Sequence, residues 1–266
     1  MNHRIVKTWL AAALLALAAP FCTAGVARAD QPVVRIGTEA DYAPFEYKDS
    51  SGKLQGFEIE LGDALCARAH LKCEWVNLSF DSMIAALQSK KIDAVLSQMS
   101  ITPAREKVVD FTDAITITPA RFIAKKGSGI TDDPATLKGK TIGVQSGTTE
   151  ENYYNLKLKG IAEVKIYEGQ DQSYQDLLAG RIDASLQDET IGYDWLHKQG
   201  KAAGYDYAGK ELTDPAIFGK GAGIAVRKGD PLRKELNAAF ALAVKDGTYK
   251  KINAEYFPFS ILPPAK

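Results

Sequence analysis

The hexapeptide KIDAVL at residues 91–96 recurs in the second half of the chain as RIDASL at residues 181–186. Both stretches read as short buried strands, because small and apolar residues follow the aspartate. Each half also opens with a strand, VVRIGT at 33–38 and KTIGV at 140–144, and helical spacing of apolar residues follows it. The order strand, helix, helix, strand therefore occurs twice and predicts two α/β lobes with largely parallel sheets. Chance similarity is the alternative, since the repeat is short.

Helix boundaries are marked by residues typical of helix ends. A first helix is predicted over residues 58–69, where the apolar side chains have amphipathic spacing. Asp81 is predicted to cap a second helix, and Thr102 followed by Pro103 predicts the start of a short third helix. In the second half, TTEE at 148–151 is typical of a capping box.

The last part of the chain is predicted to return to the first lobe. GIAVR at 223–227 reads as a strand, and two predicted helices follow it, at 231–245 and 248–256. The chain then crosses between the lobes twice, near 117–121 and 219–224, and such short double crossings act as hinges. The predicted boundaries are residues 30–118 and 223–266 for lobe I and residues 119–222 for lobe II.

Composition restricts the class of protein. The chain has 266 residues, with 33 Lys and Arg against 33 Asp and Glu, and 45% of its residues are hydrophobic. That length allows two domains, each with a core of its own. A nucleic-acid-binding protein would carry a basic excess, and a disordered chain would carry fewer apolar residues. Both classes are therefore excluded.

The first 29 residues are typical of a secretory signal peptide. Arg4 and Lys7 precede an apolar run at residues 9–19, and Ala27-Arg28-Ala29 supplies a small-residue cleavage site. The run is shorter than the ~20 residues that span a bilayer, which disfavours the alternative of an uncleaved membrane anchor. Cleavage after Ala29 would remove three of the 33 basic residues and no acidic one, which leaves a net charge of −3. We therefore expect an exported, periplasmic chain.

Two cysteines, Cys66 and Cys73, remain after this cleavage. Export places them in an oxidising compartment, where a pair at this spacing is expected to form a disulfide. The alternatives are two buried free thiols, or half of a metal site that uses the nearby His70. We expect no metal ion and no cofactor.

Polar residues follow the predicted strands, which is where open α/β sheets bind their ligands. In the first half these residues are Glu39, Asp41, Tyr42, Ser97, Gln98 and Ser100, with Arg105 one helical turn beyond. In the second half they are Gln145, Ser146, Gly147, Thr148, Thr149 and Asp188.

This set of polar residues suits an α-amino acid. Arg105 would hold a carboxylate through two parallel hydrogen bonds. The backbone N–H groups of Thr148 and Thr149 would help, because helix starts attract anions. Asp188 would accept hydrogen bonds from an ammonium group. Singly, the arginine is typical of a surface charge and the aspartate of a helix N-cap, but their joint position at strand ends favours a receptor.

The sequence contains no recognisable catalytic set. His70 and His197 lie in helical contexts typical of solvated faces, and no GxSxG, HExxH or P-loop motif occurs. The glycine-rich stretch at 219–223 precedes a strand and does not open a helix, so it indicates a hinge and not a phosphate-binding loop. We therefore expect a binding protein and not an enzyme.

Several motifs resemble those of the periplasmic polar amino-acid-binding proteins that serve ATP-binding-cassette importers. They are IGTEADYAPFE at 36–46, GFEIEL at 56–61, KIDA at 91–94, SITPAR at 100–105 and AGRIDA at 179–184. The resemblance covers about residues 33–260, and it is strongest to lysine/arginine/ornithine-binding and histidine-binding proteins. It implies the type II periplasmic-binding-protein fold, with a ligand cleft between two lobes joined by two hinge strands.

The resemblance also implies a disulfide and a partner protein in the membrane. Relatives of this kind carry a disulfide at the positions of Cys66 and Cys73, and they deliver their ligand to a membrane permease. We predict that the ligand docks on the first lobe and that the second lobe then closes over it, because Asp188 and the Thr149 amide add contacts that only the closed form offers. We further expect a monomer that neither inserts into a membrane nor binds nucleic acid.

Two groups of site residues follow from the resemblance. Arg105 matches the residue that binds the ligand carboxylate, helped by Ser100 and the backbone of Thr149. Asp188 matches the residue that binds the α-ammonium group, with Ser97 assisting.

The remaining site residues concern the ligand side chain. Tyr42 and Phe80 match the two aromatic residues that enclose its aliphatic stem, and Phe80 favours lysine, arginine or ornithine over histidine. Glu39 stands where relatives have an aspartate that receives the distal cation, and Gln98 stands where they have a small serine. Ser146, beside the helix start, completes the predicted ligand-binding set.

The predicted ligand is a cationic L-amino acid. Bound arginine, lysine or ornithine brings one carboxylate and two cations, which match Arg105, Asp188 and Glu39. A neutral ligand would leave Glu39 buried and unpaired, at a cost on the order of several kcal/mol. The alternatives are opines such as octopine and nopaline, histidine, glutamine, or the activity of a cyclohexadienyl dehydratase, for which Glu39 or Glu150 would be the general acid.

Overall fold

The computed structural model describes residues 33–264 as two five-stranded sheets, a small three-stranded sheet and nine α-helices. The signal peptide predicted for residues 1–29 lies outside the described residues. The strands are β1 (Val33–Thr38), β2 (Asp41–Tyr42), β3 (Glu46–Lys48), β4 (Leu54–Gln55), β5 (Lys72–Asn77), β6 (Ala94–Val95), β7 (Val109–Phe111), β8 (Ala120–Lys125), β9 (Thr141–Gln145), β10 (Glu163–Tyr167), β11 (Ala184–Asp188), β12 (Tyr205–Leu212) and β13 (Ala225–Arg227). The α-helices are α1 (Phe57–Arg68), α2 (Met83–Gln88), α3 (Pro103–Glu106), α4 (Thr149–Tyr153), α5 (Gln170–Leu178), α6 (Glu189–Trp195), α7 (Pro215–Phe218), α8 (Leu232–Lys245) and α9 (Thr248–Tyr256).

The two large sheets have the same arrangement of strands. The first has the order β5-β1-β6-β13-β7 and the second has the order β10-β9-β11-β8-β12. We call the parts of the chain built on these sheets the first lobe and the second lobe. Two α/β lobes were predicted, and the prediction is confirmed.

The expectation of largely parallel sheets is wrong. In each sheet the two pairings among the first three strands are parallel, and the other two pairings are antiparallel. The antiparallel pairings involve β8 and β13. These strands enter their sheets directly from the other lobe and not through a crossover helix, which parallel neighbours require.

The repeated aspartates have the same structural role in the two lobes. The Asp93 carboxylate accepts a hydrogen bond from the backbone N–H of Arg35 (3.1 Å), and the Asp183 carboxylate accepts one from the backbone N–H of Thr141 (2.9 Å). Their own backbone N–H groups donate to the carbonyl oxygens of Arg35 and Thr141, at 2.7 and 2.9 Å. Each aspartate therefore fixes the register of the strand that it precedes, and the repeat is not chance similarity.

A second pair of equivalent contacts joins a glycine to an isoleucine in each lobe. A Cβ atom on Gly37 would lie 2.6 Å from Cδ1 of Ile92, and one on Gly143 would lie 2.6 Å from Cδ1 of Ile182. Both isoleucines are buried. A side chain at either position would press on the isoleucine before β6 or β11, and at Gly143 it would also press on Oγ of Ser173, so both positions favour glycine.

Helices cover both faces of each sheet. In β13, Val226 packs with residues of α1, α8 and α9, whereas the adjacent Ala225 faces Met83 of α2 on the other side. In β8, Phe122 packs with residues of α4 and α7, whereas Ile123 faces α5 and α6. Because both faces are covered, the ends of the strands are the part of each sheet that is left to form a binding site.

The predicted disulfide is confirmed. Cys66 in α1 and Cys73 in β5 are bonded, with their Cα atoms 6.2 Å apart. The bond joins the last turn of the helix to the edge strand of the first sheet.

The helix starts agree with the sequence in two cases and differ in a third. Thr102 and Thr148 cap α3 and α4, as predicted, and accept hydrogen bonds from the backbone N–H groups of Arg105 and Glu151. The prediction that Asp81 caps a helix is wrong. Asp81 lies inside a 3-10 turn that precedes α2, and its carboxylate accepts hydrogen bonds from the hydroxyls of Ser79 (2.9 Å) and Ser146 (3.2 Å).

The two crossing segments between the lobes are hydrogen-bonded to each other. The backbone N–H of Ala222 donates to the carbonyl oxygen of Thr116 (3.0 Å), and that of Ile115 donates to the carbonyl oxygen of Ala222 (2.8 Å). Gly221 has a φ of 99°, and a Cβ atom there would lie 2.5 Å from the Thr116 carbonyl oxygen. The glycine-rich stretch therefore permits this close approach. The residue numbers at which the lobes begin and end stay a prediction.

No helix within residues 33–264 has the length and apolar character needed to cross a membrane.

The contact between Gly37 and Ile92 gives a test of the fold. Gly37→Ala should lower the free energy of unfolding by about 1–3 kcal/mol, because the new methyl group overpacks a buried contact. Ile92→Val removes the Cδ1 atom and should restore part of that loss when the two substitutions are combined. Thermal unfolding of the two single variants and the double variant measures this coupling. Strictly additive losses would show that the two residues do not press on each other.

Candidate functional site

A cavity lies where strand ends of the two lobes meet within residues 33–264. The first lobe contributes Glu39, Tyr42, Phe80, Ser97, Gln98, Ser100 and Arg105 to its lining. The second lobe contributes Gln145, Thr148, Thr149, Glu150 and Asp188.

The order of the parallel strands brings these residues together. Glu39 follows β1, Ser97 follows the neighbouring strand β6, and Asp188 ends β11 in the second sheet. Parallel neighbours end at the same edge of a sheet, so the residues after them converge. Arg105 is placed by α3, whose cap Thr102 accepts a hydrogen bond from the Arg105 backbone N–H (3.3 Å).

The structure places most of the predicted site residues around this cavity. Those that line it are Glu39, Tyr42, Phe80, Ser97, Gln98, Ser100, Arg105, Thr149 and Asp188. Ser146 does not line the cavity, and its hydroxyl instead donates to Asp81 across the lobes. What these residues bind stays a prediction.

Glu150 lines the cavity but was not predicted as a ligand-binding residue. It lies in the first turn of α4, where an acidic residue is ordinarily explained by the helix dipole. Its Oε2 accepts a hydrogen bond from the Thr149 hydroxyl (3.0 Å), and its buried Oε1 has no hydrogen-bond partner among the described residues. Its position directly after the predicted site residue Thr149 could have indicated that Glu150 also lines the cavity. Gln145 and Thr148 also line the cavity, and the strand-end pattern included both.

Arg105 supplies the positive charge of the cavity lining. Its guanidinium donates to the carbonyl oxygen of Ser100 (2.9 Å) and, in the other lobe, to that of Gly147 (3.0 Å). It also lies 5.3 Å from the centre of the Phe80 ring. Burial lowers the pKa of Arg105 to about 10, opposed by the carboxyl groups of Glu150 and Asp188. The guanidinium therefore stays charged at neutral pH.

Asp188 and Tyr42 also join the two lobes at the cavity. The Tyr42 hydroxyl donates a hydrogen bond to Oδ2 of Asp188 (2.9 Å). Burial raises the pKa of Asp188 well above its ordinary value, the negative charge of Glu150 raises it further, and the Tyr42 hydrogen bond opposes the rise. The Glu150 pKa is also raised by burial. These two carboxyl groups would be stabilised in their charged forms by a cation between the lobes.

Glu39 is a third buried acid, and it also bridges the lobes. Its side chain is 6% exposed, and its Oε2 accepts a hydrogen bond from the Gln145 amide (2.6 Å). Burial raises the pKa of Glu39 to about 7, while the Gln145 hydrogen bond opposes the rise. Glu39 therefore changes its charge near neutral pH.

Gln98 is held rigidly, and part of its amide is unpaired. Its backbone has a φ of 44°, and its Oε1 accepts a hydrogen bond from the Thr116 hydroxyl (2.5 Å). Its buried Nε2 has no partner among the described residues. A ligand in this cavity is therefore offered a free amide donor.

The charge of the lining favours a ligand with more positive than negative groups. Glu39, Glu150 and Asp188 oppose the single guanidinium of Arg105 within this lining. No group of three or more potential metal-ligating side chains was found among residues 33–264.

Residues 34–259 match the bacterial extracellular solute-binding proteins, family 3. The chain belongs to this family. It is 44% identical over 235 residues to the L-arginine-binding protein of Pseudomonas aeruginosa, a match that covers 88% of this chain and 90% of that protein. It is 43% identical to the histidine-binding periplasmic protein of Salmonella typhimurium, over 93% of this chain and 95% of that protein. It is also 43% identical to the lysine/arginine/ornithine-binding periplasmic protein of Escherichia coli, over 86% of this chain and 88% of that protein.

Solved structures of similar proteins have the same fold as this solute-binding protein. An ancestral arginine-binding protein bound to arginine has a TM-score of 0.79 and 38% identity, over 85% of this chain and 99% of that one. An ancestral amino-acid-binding protein that is a precursor of cyclohexadienyl dehydratase has a TM-score of 0.76 and 33% identity, over 85% and 95%. The predicted two-lobe periplasmic-binding-protein fold is therefore confirmed.

The raised pKa of Glu39 predicts how the stability of the ligand-free protein depends on pH. Folded Glu39 holds its proton up to about pH 7, whereas an unfolded glutamate releases it near 4.5. The folded state thus binds more protons in this window, so the free energy of unfolding should fall as the pH rises through it, by about 3 kcal/mol for this group. Thermal unfolding at pH 5, 6, 7 and 8 should show a shallower fall in Glu39→Gln.

The matched control for this experiment is Glu235→Gln. Glu235 is exposed on α8. Its substitution should leave the pH dependence unchanged. An equal slope in wild type and Glu39→Gln would show that Glu39 is not protonated in the folded protein.

Proposed function

We propose that this solute-binding protein captures a cationic L-amino acid, arginine, lysine or ornithine, in the periplasm and delivers it to the permease of an ABC importer. The observation that carries the proposal is the excess of buried acids in the cavity, where Glu39, Glu150 and Asp188 face Arg105. The relatives named for arginine, histidine, and lysine, arginine and ornithine support the class of ligand.

The polar ends of the ligand have complementary partners in this proposal. The ligand carboxylate pairs with the Arg105 guanidinium, and the α-ammonium group lies at Asp188. Glu150, whose Oε1 has no partner among the described residues, acts electrostatically on both Arg105 and Asp188. A cation there lowers the raised pKa values of the two acids, because it stabilises their charged forms.

The ligand side chain extends between the aromatic rings towards Glu39. Tyr42 and Phe80 both line the cavity and supply apolar surface for the aliphatic stem. The distal cation pairs with Glu39, which must lose its proton to do so. A neutral side chain would leave this acid without a partner, and an opine would add a carboxylate to a cavity that already has an acidic excess.

Three hydrogen bonds between the lobes indicate how a ligand would be held. Tyr42 to Asp188, Gln145 to Glu39 and Arg105 to the Gly147 carbonyl each link one lobe to the other at the cavity. The ligand can leave only when these bonds break, so opening involves the predicted hinge at 117–121 and 219–224. The lobe boundaries proposed are 30–118 with 223–266, and 119–222. Export rests on the predicted signal peptide and on the relatives named as periplasmic.

Isothermal titration calorimetry on chain that has been unfolded and refolded, to remove carried-over ligand, tests the proposal. Arginine, lysine and ornithine should bind more tightly than histidine, glutamine or octopine. Glu39→Gln should weaken arginine binding about 10–100-fold, since a hydrogen bond to a charged group contributes about 1.5–3 kcal/mol. Between pH 5 and 7 the wild-type affinity for arginine should rise, and the rise should be smaller in Glu39→Gln.

Three results would contradict the proposal. Unchanged arginine affinity in Glu39→Gln would show that Glu39 does not receive the distal cation. Tighter binding of glutamine, histidine or an opine would favour those alternatives, and turnover of prephenate by the purified protein would identify an enzyme. Glu235→Gln serves again as the control and should bind arginine as wild type does.

A further inference from the structure

Two fully buried carboxyl groups lie behind the cavity and do not line it. Glu46 in β3 and Glu58 in α1 are both 0% exposed. Neither takes part in an ion pair among residues 33–264. Aromatic and aliphatic side chains of the first-lobe core, including Phe45 and Phe57, lie next to them in the chain. Two carboxylates in such surroundings could not both stay charged.

Each of the two acids accepts a hydrogen bond from one of two consecutive residues, Ser97 and Gln98. Oε1 of Glu46 accepts from the Ser97 hydroxyl (2.7 Å), and Oε2 of Glu58 accepts from the backbone N–H of Gln98 (2.8 Å). The opposite oxygens, Oε2 of Glu46 and Oε1 of Glu58, have no donor from any other described residue. Glu58 lies beside Glu46, because its backbone N–H donates to the carbonyl oxygen of the preceding residue, Phe45 (2.9 Å), and each carboxyl group acts on the pKa of the other. A hydrogen bond between the two carboxyl groups, which this arrangement favours, requires a proton on one of them.

We propose that Glu46 and Glu58 share a single proton and that this pair positions Ser97 and Gln98 at the floor of the ligand cavity. Both are positioning residues, because they act through their neighbours and do not touch the cavity. The proposal rests on the proposed function only in the choice of arginine as the probe ligand.

The surroundings of the pair keep the proton in place. The titratable groups of other elements that interact electrostatically with the pair include Glu39, Asp188 and Tyr249, and none of these three is a cation. Burial raises the pKa of Glu46 well above its ordinary value, and burial raises that of Glu58 to about 7. Each ionised neighbour makes a second negative charge in the pair less favourable.

The pair reaches the ligand cavity through two connections. The Ser97 hydroxyl donates to Glu46 and accepts a hydrogen bond from the Glu39 backbone N–H (3.1 Å), so it links the pair to the segment that carries Glu39. The Gln98 backbone N–H, held by Glu58, fixes a residue whose φ of 44° is unfavourable for a side chain. Loss of the proton would push the carboxylates apart and release both connections.

Glutamine substitutions separate a shared proton from simple burial of charge. In Glu46→Gln the amide oxygen still accepts from Ser97, and the amide N–H takes the place of the shared proton towards Glu58. In Glu58→Gln the amide oxygen still accepts from the Gln98 backbone N–H, and the amide N–H takes the place of the shared proton towards Glu46. In the double variant both amide oxygens are required by Ser97 and Gln98, so two N–H groups face each other.

Each single variant should therefore unfold within about 4 °C of wild type and bind arginine within about tenfold of the wild-type affinity. The double variant should unfold about 4–8 °C below the sum of the single effects, since a buried donor is left unpaired. It should also bind arginine at least about tenfold more weakly than either single variant. A double variant as stable as the single variants would overturn the proposal, because removal of buried charge alone predicts that result.

Two readouts without ligand detect the proton itself. Between pH 5 and 7, the unfolding equilibrium constant of Glu46→Gln should change less steeply than that of wild type, by up to a factor of about ten per pH unit. The infrared difference spectrum of wild type minus Glu46→Gln at pH 7 should contain the carbonyl band of a protonated carboxyl group. Absence of this band would overturn the proposal even if arginine binds as proposed, whereas its presence without arginine binding would contradict only the proposed function. Glu235→Gln is the control and should match wild type in both measurements.

Discussion

Three carboxyl groups lie with a single guanidinium in the lining of the cavity where strand ends of the two lobes meet. Glu39, Glu150 and Asp188 are brought to one cavity by strands and a helix of both sheets, and Arg105 alone opposes them within its lining. In the ligand-free protein such groups are stabilised by protons and by hydrogen bonds from Gln145, Thr149 and Tyr42. A cationic ligand would replace the protons and strengthen the attraction between the lobes. Under the proposed function, stability, closure and selectivity for charge would have one physical origin.

The parts of the fold that depend on local sequence could be predicted. The repeated aspartates, and the strand that opens each half of the chain, indicated two lobes. The structure shows that Asp93 and Asp183 make the same hydrogen bonds. The direction of β8 and β13 could not be predicted, because it depends on how the chain enters each sheet and not on the residues of the strand. Asp81 was misread because it lies inside a 3-10 turn before α2, where its carboxylate accepts hydrogen bonds from Ser79 and from Ser146 of the other lobe.

The site was predictable where ligand contacts lie at strand ends or in family motifs. Arg105 and Asp188 were found in this way, and both line the cavity. Glu150 was assigned no binding role because an acid in the first turn of a helix already has an ordinary explanation. Glu46 and Glu58 were quoted within motifs, but their contact is a long-range feature of packing between β3 and α1 that no local pattern reveals.

The bonding between the two crossing segments has a consequence for motion. Separate strands between two bodies would allow them to slide, bend and turn independently. Thr116 and Ala222 are joined through their backbones, and Gly221 packs against the same carbonyl group, so the two segments must twist together. We therefore expect the lobes to rotate about one axis more readily than they slide past each other. One distance between a point on each lobe would then report most of that rotation.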